Sequence, residues 1–177
     1  MGVASAMPSG NNEPRFDVLG VQVSAVNLDR AANCILEAIE SGTIAHVCVT
    51  GVHGVVECRQ DAGLLEIHNR SLLTVPDGMP LVWMGRRQGF AQVDRVYGPD
   101  LVRELLRRTA ARPIGHFWLG STAERLDILS MRLKSEYPQM AMAGFRALPF
   151  RPLTDREWDE IVGHVLDSQA ALVWVGL

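Results

Sequence analysis

Short apolar runs alternate with helix-like segments along most of this 177-residue chain, and this alternation limits the fold more than any other feature of the sequence. The apolar runs are short and contain few polar residues, as expected of strands that are covered on both faces in a parallel sheet. They are IAHVCVT at 44–50, LLTV at 72–75, HFWLG at 116–120 and ALVWVG at 171–176. The alternation predicts an α/β protein of Rossmann-like type, with a largely parallel sheet and helices on both faces.

Capping residues mark several helix boundaries. Asn27 is placed to cap a helix over 28–40, and the segments 121–124 and 154–157 both have the capping-box pattern. The run FDVLGVQVSAV at 16–26 predicts one strand or a hairpin around Gly20. Further helices are predicted from apolar spacing at 52–60, 81–88 and 99–109.

The hydrophobic content of 47% is enough to fill one substantial core. We therefore expect a single α/β domain over residues 15–177, preceded by a disordered tail at 1–14. The tryptophans lie on apolar faces of predicted elements, where core packing is a better first account than sugar stacking. They are Trp83, Trp118, Trp158 and Trp174.

Charge and composition exclude several classes of function. The formal net charge of −3 gives no basic excess for binding nucleic acid. Three cysteines without CxxC spacing indicate reduced thiols in a cytoplasmic protein, and five scattered histidines predict no metal site. No apolar run approaches the length of a membrane span. Neither GxGxxG nor GxxxxGK[ST] follows a predicted strand, which argues against an ordinary dinucleotide cofactor or P-loop.

Residues directly after strands are the first candidates for chemistry, because ligands of open parallel sheets bind beyond the carboxyl ends of the strands. The rule selects Thr50, Asp77 with Gly78, Gly120 with Ser121, and Gly176.

Asp77 lies in TVPDGMPLVWMGRR at 74–87, between a predicted strand and a predicted helix. One interpretation is a turn, in which proline presets φ and Gly78 accepts a positive φ. The other is a carboxylate that accepts the proton of an attacking hydroxyl, as general-base catalysis requires. The residues alone leave both open.

Three other side chains carry the same kind of choice. Thr50 is either an ordinary strand residue or a hydroxyl that contacts substrate. Arg95, in DRVYGPDL, either binds a phosphate bidentately or forms a surface salt bridge with Asp94 or Asp100. His53 follows the predicted strand end by three residues and is either a structural histidine or part of a site.

Four motifs, in their order and spacing, resemble the WecG/TagA/CpsF family of bacterial glycosyltransferases. The resemblance covers roughly residues 16–177. The motifs are Val49-Thr50 at a strand end, Pro76-Asp77-Gly78, the Arg-Val-x-Gly-x-Asp-Leu run that begins at Arg95, and the last strand ending Val-Gly-Leu.

The resemblance implies inverting, metal-independent transfer of a hexose or N-acetylhexosamine from a UDP-sugar to a polyprenyl-diphosphate-linked saccharide. The reaction needs no cofactor and takes place at the cytoplasmic face of the membrane, in the synthesis of teichoic acid, capsule or exopolysaccharide. The residue matching Asp77 is the family's proposed base, and those matching Thr50 and Arg95 line the substrate pocket. We add Gly78 and His53 as substrate-binding candidates, and self-association stays open.

Two departures from the family are visible. Val52 stands where many members have asparagine, so a polar contact is either missing or supplied elsewhere, with His53 as the candidate. The family's Gly-x-Pro-Lys-Gln-Glu motif and basic, membrane-binding tail do not occur up to Leu177. An alternative function is therefore a non-catalytic module for nucleotide-sugar binding or assembly, whereas a Rossmann-type oxidoreductase is disfavoured by the missing glycine fingerprint.

Overall fold

The computed structural model describes residues 13–176, which fold into seven strands and seven helices. The chain divides into two units, the first ending at Glu104 and the second beginning at Leu105. The elements that begin in the first unit are β1 (Arg15–Val18), β2 (Val21–Ser24), α1 (Leu28–Glu40), β3 (Val47–Thr50), α2 (Val52–Cys58), α3 (Ala62–Arg70), β4 (Leu73–Pro76), α4 (Met79–Arg87) and α5 (Gly98–Thr109). Those of the second unit are β5 (His116–Gly120), α6 (Ala123–Glu136), β6 (Met142–Arg146), α7 (Asp155–Asp167) and β7 (Leu172–Gly176). Mixed helices and parallel strand pairs confirm the predicted α/β, Rossmann-like class.

The first unit opens with an antiparallel hairpin of β1 and β2. Leu19 and Gly20 both have positive φ, 55° and 94°, which is the twist that two-residue hairpin turns require. The hairpin alternative predicted around Gly20 is thus confirmed. The predicted tail at 1–14 lies outside the described residues except for its last two, of which Glu13 pairs with Arg30.

Two strands of the first unit form a parallel pair, β3 with β4. The strand β4 is buried along its length, as predicted, but β3 is not covered on both faces. Val49 is 45% exposed, and β3 pairs with β4 alone among the described strands.

The core of the first unit lies between the hairpin and the helices α2 and α4. Phe16 at its centre is 1% exposed and stacks at a tilt on Phe90. A Cβ added to Gly85 would lie 2.8 Å from the Phe16 ring, so only glycine lets α4 approach β1 this closely.

The second unit contains a parallel three-stranded sheet of order β6-β5-β7. Phe117, Leu119 and Ile161 form its buried apolar cluster, on which Leu148, Leu153, Val165 and Ala170 pack. The strands β5 and β7 match the predicted runs 116–120 and 171–176 almost residue for residue.

A buried histidine links β5, β7 and the last residues of α5. His116 is fully buried, and its Nδ1 accepts a hydrogen bond from Trp174 Nε1 at 3.0 Å. Indole nitrogen is only a donor, so His116 must carry its proton on Nε2, which lies 2.9 Å from Thr109 Oγ1. The Thr109 hydroxyl in turn donates a hydrogen bond to the Leu105 carbonyl at 2.7 Å. Because Nδ1 accepts, this chain of hydrogen bonds needs the neutral imidazole. Burial lowers the pKa of His116 to about 4, so the ring is neutral at neutral pH.

Three local predictions were wrong. The capping box at 121–124 fails because Ser121 has a positive φ of 62°, and Thr122 caps α6 instead by accepting from Arg125 N. Trp83 and Trp158 are 61% and 50% exposed rather than in the core. On α4 the buried residues are Leu81, Val82 and Gly85, and Trp83 projects to the other side of the helix. The capping box at 154–157 is confirmed in full.

Within residues 13–176, no helix combines the length and the apolar character that crossing a bilayer requires.

Candidate active site

The parallel strands β3 and β4 end side by side, and this brings two of the candidate residues together. Thr50 is in register with Pro76, and the Asp77 N–H donates to the Thr50 carbonyl at 2.9 Å. The side chains of Thr50 and Asp77 therefore belong to neighbouring strand ends at one edge of the pair, as the rule for parallel sheets predicts.

The loop that follows α4 brings Arg95 to the same edge. Val96 N donates to the Pro76 carbonyl at 2.9 Å, which ties the loop to the end of β4. Arg86 on α4 also binds the loop, because its Nε donates a 3.0 Å hydrogen bond to the Val93 carbonyl. Asp94 Oδ1 accepts from the Arg95 backbone N–H at 2.8 Å.

Arg95 forms its ion pair with Asp77, at 3.5 Å between Nη2 and Oδ1. The alternatives of a salt bridge to Asp94 or Asp100 are not what the structure has, because Asp94 pairs with Arg86 and Asp100 with Arg103. At 3.5 Å the Arg95 contact is longer than an ordinary N–H···O hydrogen bond, and its attraction is electrostatic.

Asp77 is a carboxylate under opposing influences. Its side chain is 26% exposed, and burial raises its pKa above the usual value for aspartate. The Arg95 guanidinium acts in the other direction, and the Asp100 carboxylate adds to the rise. Burial is the largest of these effects, so the proton is held more tightly than on a solvated aspartate.

Two buried polar atoms at this edge lack a hydrogen-bond partner among the described residues: Thr50 Oγ1 and Asp77 Oδ1. Thr50 is 2% exposed, so its hydroxyl has left water without compensation from the protein. A buried polar atom left in this way costs about 1–3 kcal/mol, and such atoms call for an explanation.

Gly78 caps the N-terminus of α4 with φ −153° and ψ 144°, an extended conformation. The predicted positive φ is therefore wrong, and Pro76-Asp77-Gly78 connects a strand directly to a helix. A Cβ on Gly78 would meet only Pro80 Cδ, at 3.6 Å, an ordinary contact. Neither the backbone nor packing requires glycine here.

The side-chain contact of His53 is with Glu57 and not with Thr50, Asp77 or Arg95. Its side chain is 88% exposed, and its Nε2 lies 3.2 Å from Glu57 Oε1, one turn along α2. The contacts of the described residues do not join His53 to Thr50, Asp77 or Arg95, and its substrate-binding role stays a prediction.

Tyr97 was not among the predicted site residues. The Arg95 Cζ atom lies 4.4 Å from the centroid of the Tyr97 ring, a cation–π contact. The available signal was the spacing of two residues, which places side chains on the same side of an extended segment. Asp100 was predicted only as a salt-bridge partner, and its effect on Asp77 was missed.

The predicted strand-end residues of the second unit lie at the ends of β5 and β7. Gly120 and Gly176 pair at the ends of β5 and β7, and a Cβ on Gly120 would overlap the Gly176 carbonyl. Gly120 also has a positive φ of 117°, so glycine is needed for the backbone itself. Ser121 follows in the left-handed region.

Within the described part of the chain, no three His, Cys, Asp or Glu side chains cluster in a way that would hold a metal ion. The charged groups at the ends of β3 and β4 are thus carboxylate and guanidinium.

The structure thus brings a carboxylate, a guanidinium and a buried hydroxyl together at the ends of β3 and β4. The model of the Glycosyl transferase WecG/TagA/CpsF family matches residues 16–177. The chain belongs to this family, whose members are glycosyltransferases of cell-surface polysaccharide synthesis. A comparison with curated proteins gives no match.

Proposed function

We propose that this protein is an inverting glycosyltransferase that moves a sugar from a UDP-sugar to a polyprenyl-diphosphate-linked saccharide. Asp77 acts as the general base and Arg95 binds the donor diphosphate. The observation that carries the proposal is the pair of groups at the end of β4: a carboxylate of raised pKa with an arginine 3.5 Å away.

The chemical step needs one base and one group that stabilises the departing diphosphate. The acceptor hydroxyl oxygen attacks the anomeric carbon of the donor, and its proton passes to the Asp77 carboxylate. The bond between the anomeric carbon and the diphosphate oxygen breaks, and UDP leaves with that electron pair. One displacement inverts the anomeric carbon.

A raised pKa favours Asp77 as the base. Proton transfer is most effective when the pKa of the base approaches the working pH, provided that the base is still ionised. Burial moves the pKa of Asp77 in that direction, and Arg95 keeps the carboxylate charged. Arg95 also offers a planar donor fork that matches phosphate oxygens.

Three further residues have assigned roles in the proposal. The buried Thr50 hydroxyl donates to or accepts from a substrate group beside Asp77. Gly78 leaves the backbone at the start of α4 without a side chain, so that a substrate group approaches the strand-to-helix connection there. His53 supplies a polar contact from α2 after turning from Glu57.

A polyprenyl-linked acceptor is held in the bilayer, so the proposed reaction takes place at the cytoplasmic face of the membrane with the protein bound peripherally. The support for this part, for the UDP-sugar and for transfer without a metal is the family resemblance alone.

The test combines binding with turnover in the protein made from its complete reading frame. Calorimetry with UDP and a UDP-sugar measures donor binding, and UDP release is followed with and without a lipid-linked acceptor, in the presence of EDTA. The proposal predicts binding and acceptor-dependent release that EDTA does not stop. Binding without acceptor-dependent release would instead support the non-catalytic module, and binding of NAD(H) in place of UDP would support an oxidoreductase.

A further inference from the structure

Arg95 has to meet two demands in the proposed function, since it lies beside the Asp77 carboxylate and also receives the donor diphosphate. An arginine side chain has many rotamers, and ordering it when a ligand binds weakens the binding. The side chain is 45% exposed, so burial alone does not fix it. Its side-chain contacts among the described residues are the ion pair with Asp77 and the face of Tyr97.

The backbone at Tyr97 is held by hydrogen bonds on both sides, and the residue is 39% exposed. The Tyr97 carbonyl accepts from Asp100 N at 3.0 Å and from Leu101 N at 2.9 Å, which makes it the start of the hydrogen bonding of α5. The preceding residue, Val96, donates to the Pro76 carbonyl. Tyr97 is therefore fixed on one side by a helix and on the other by the end of β4.

The Tyr97 ring lies against the guanidinium of Arg95, with the Arg95 Cζ atom 4.4 Å from the ring centroid. Stacking occupies one face of the guanidinium and leaves its N–H edge free to approach oxygen atoms. The nitrogen Nη2 on that edge is the atom 3.5 Å from Asp77 Oδ1. The ring thus sets where the donor fork of Arg95 is presented.

We propose that Tyr97 is a positioning residue of this site, whose ring holds the Arg95 guanidinium beside Asp77 so that a nucleoside diphosphate meets an ordered arginine. The inference rests on the proposed function and extends it, because it assigns to the ring a part in donor affinity. The phenol hydroxyl has no part in it.

The charged groups that act on Asp77 are Arg95 and Asp100. If the ring is removed, Arg95 leaves its place beside the carboxylate for part of the time, and the pKa of Asp77 rises further. The same loss of order weakens diphosphate binding. Arg95 and Tyr97 are both exposed, 45% and 39%, and a cation–π contact at such an exposed site corresponds to about a 2- to 5-fold change in affinity.

The test compares Tyr97→Leu, which removes the ring, with Tyr97→Phe, which keeps it. Titration of the Asp77 carboxyl by ¹³C NMR without ligand is the first measurement, and calorimetry with UDP is the second. We expect Tyr97→Leu to raise the pKa of Asp77 and to weaken UDP binding about 2- to 5-fold. Tyr97→Phe should match the parent in both.

A double variant shows whether Tyr97 acts through Arg95. In an Arg95→Gln background, Tyr97→Leu should leave the pKa of Asp77 where Arg95→Gln alone puts it, since two residues of one network do not act additively. Additive shifts would overturn the inference. So would a parental Asp77 pKa in Tyr97→Leu, or equal effects of the Leu and Phe variants.

The two measurements separate this inference from the proposed function. If the parent protein does not bind UDP, the proposed function fails, and the ligand-free titration still decides whether Tyr97 positions Arg95. If the parent binds UDP and Tyr97→Leu binds it as tightly, the part of Tyr97 in donor affinity is overturned.

Discussion

Arg95 Nη2 lies 3.5 Å from Asp77 Oδ1, although the two residues are separated by a helix and a loop. The loop is tied to β4 by the bond from Val96 N to Pro76 O, so the backbone brings Arg95 to the end of this strand. The site therefore pairs a carboxylate and an arginine at the end of one strand, and each can be changed separately.

Arg95→Lys should weaken UDP binding by about tenfold, because a point charge replaces a planar fork that makes two charge-assisted hydrogen bonds. Calorimetry measures this directly. Arg87→Lys, on the exposed end of α4, is the matched control and should bind UDP like the parent. Unchanged UDP affinity together with unchanged turnover in Arg95→Lys would remove Arg95 from the site.

Thr50→Val should leave the free energy of unfolding unchanged or raise it by up to about 1 kcal/mol, because it removes a buried hydroxyl without a partner. Thr74→Val is the control, since the buried Thr74 hydroxyl donates to His68 O at 2.8 Å and lies 2.9 Å from Ser71 Oγ. Its loss should cost about 1 kcal/mol or more.

Urea unfolding measures the free energy of unfolding of both threonine variants. Calorimetry measures the UDP-sugar binding of Thr50→Val. The Thr50 variant should be stable and bind its substrates less well. Equal destabilisation by the two substitutions would mean that the Thr50 hydroxyl is part of the fold.

Gly78→Ala tests whether the start of α4 contacts the ligand. The extended φ and the 3.6 Å distance to Pro80 Cδ both tolerate a methyl group, so the free energy of unfolding should fall only by the cost of alanine at an N-cap, about 1 kcal/mol. Donor binding should weaken, because the methyl group stands where the substrate approaches the backbone. Parental UDP-sugar affinity would show that Gly78 is not part of the binding site.

The site could be predicted in outline because parallel strands place their carboxyl ends together. Short apolar runs located β3 and β4, and the residues after them included Thr50 and Asp77. The helix α1 was predicted at its observed bounds, since Asn27 caps it and accepts from Arg30 N. Local chemistry was enough for these features.

Other features depend on contacts that local patterns do not encode. The exposure of Val49 and Trp83 depends on which elements pack over β3 and α4. The left-handed conformation of Ser121 moved the N-cap of α6 by one residue, to Thr122. The helix α3 was missed, and Gly63 near its start is a residue that disfavours a helix. The Tyr97 contact depends on the course of a loop without regular structure.

The stability of the second unit should fall in mild acid because of His116. Its folded pKa of about 4 lies below the ordinary 6.5, so the unfolded chain binds a proton that the folded one excludes. Stability is therefore complete above about pH 6.5 and is lost as pH falls toward 4, by about 3 kcal/mol in all.

Nitrogen-15 NMR of His116 checks this without a substitution. At pH 5 the ring should still show the shifts of the neutral tautomer protonated on Nε2, because Trp174 donates to Nδ1. Imidazolium shifts at pH 6 would contradict the account.

Asp77→Asn tests the central claim most directly. Asparagine keeps the size of the side chain and removes the base, so acceptor-dependent UDP release should fall by about 10²- to 10⁴-fold. The fold and UDP affinity should be retained, because the main-chain bond from Asp77 N to Thr50 O does not involve the carboxylate. Asp127→Asn, on the exposed side of α6, should turn over like the parent. The measurement is the rate of acceptor-dependent UDP release by a folded, UDP-binding Asp77→Asn protein: a loss of that order is predicted, and turnover within a few-fold of the parent would contradict the account.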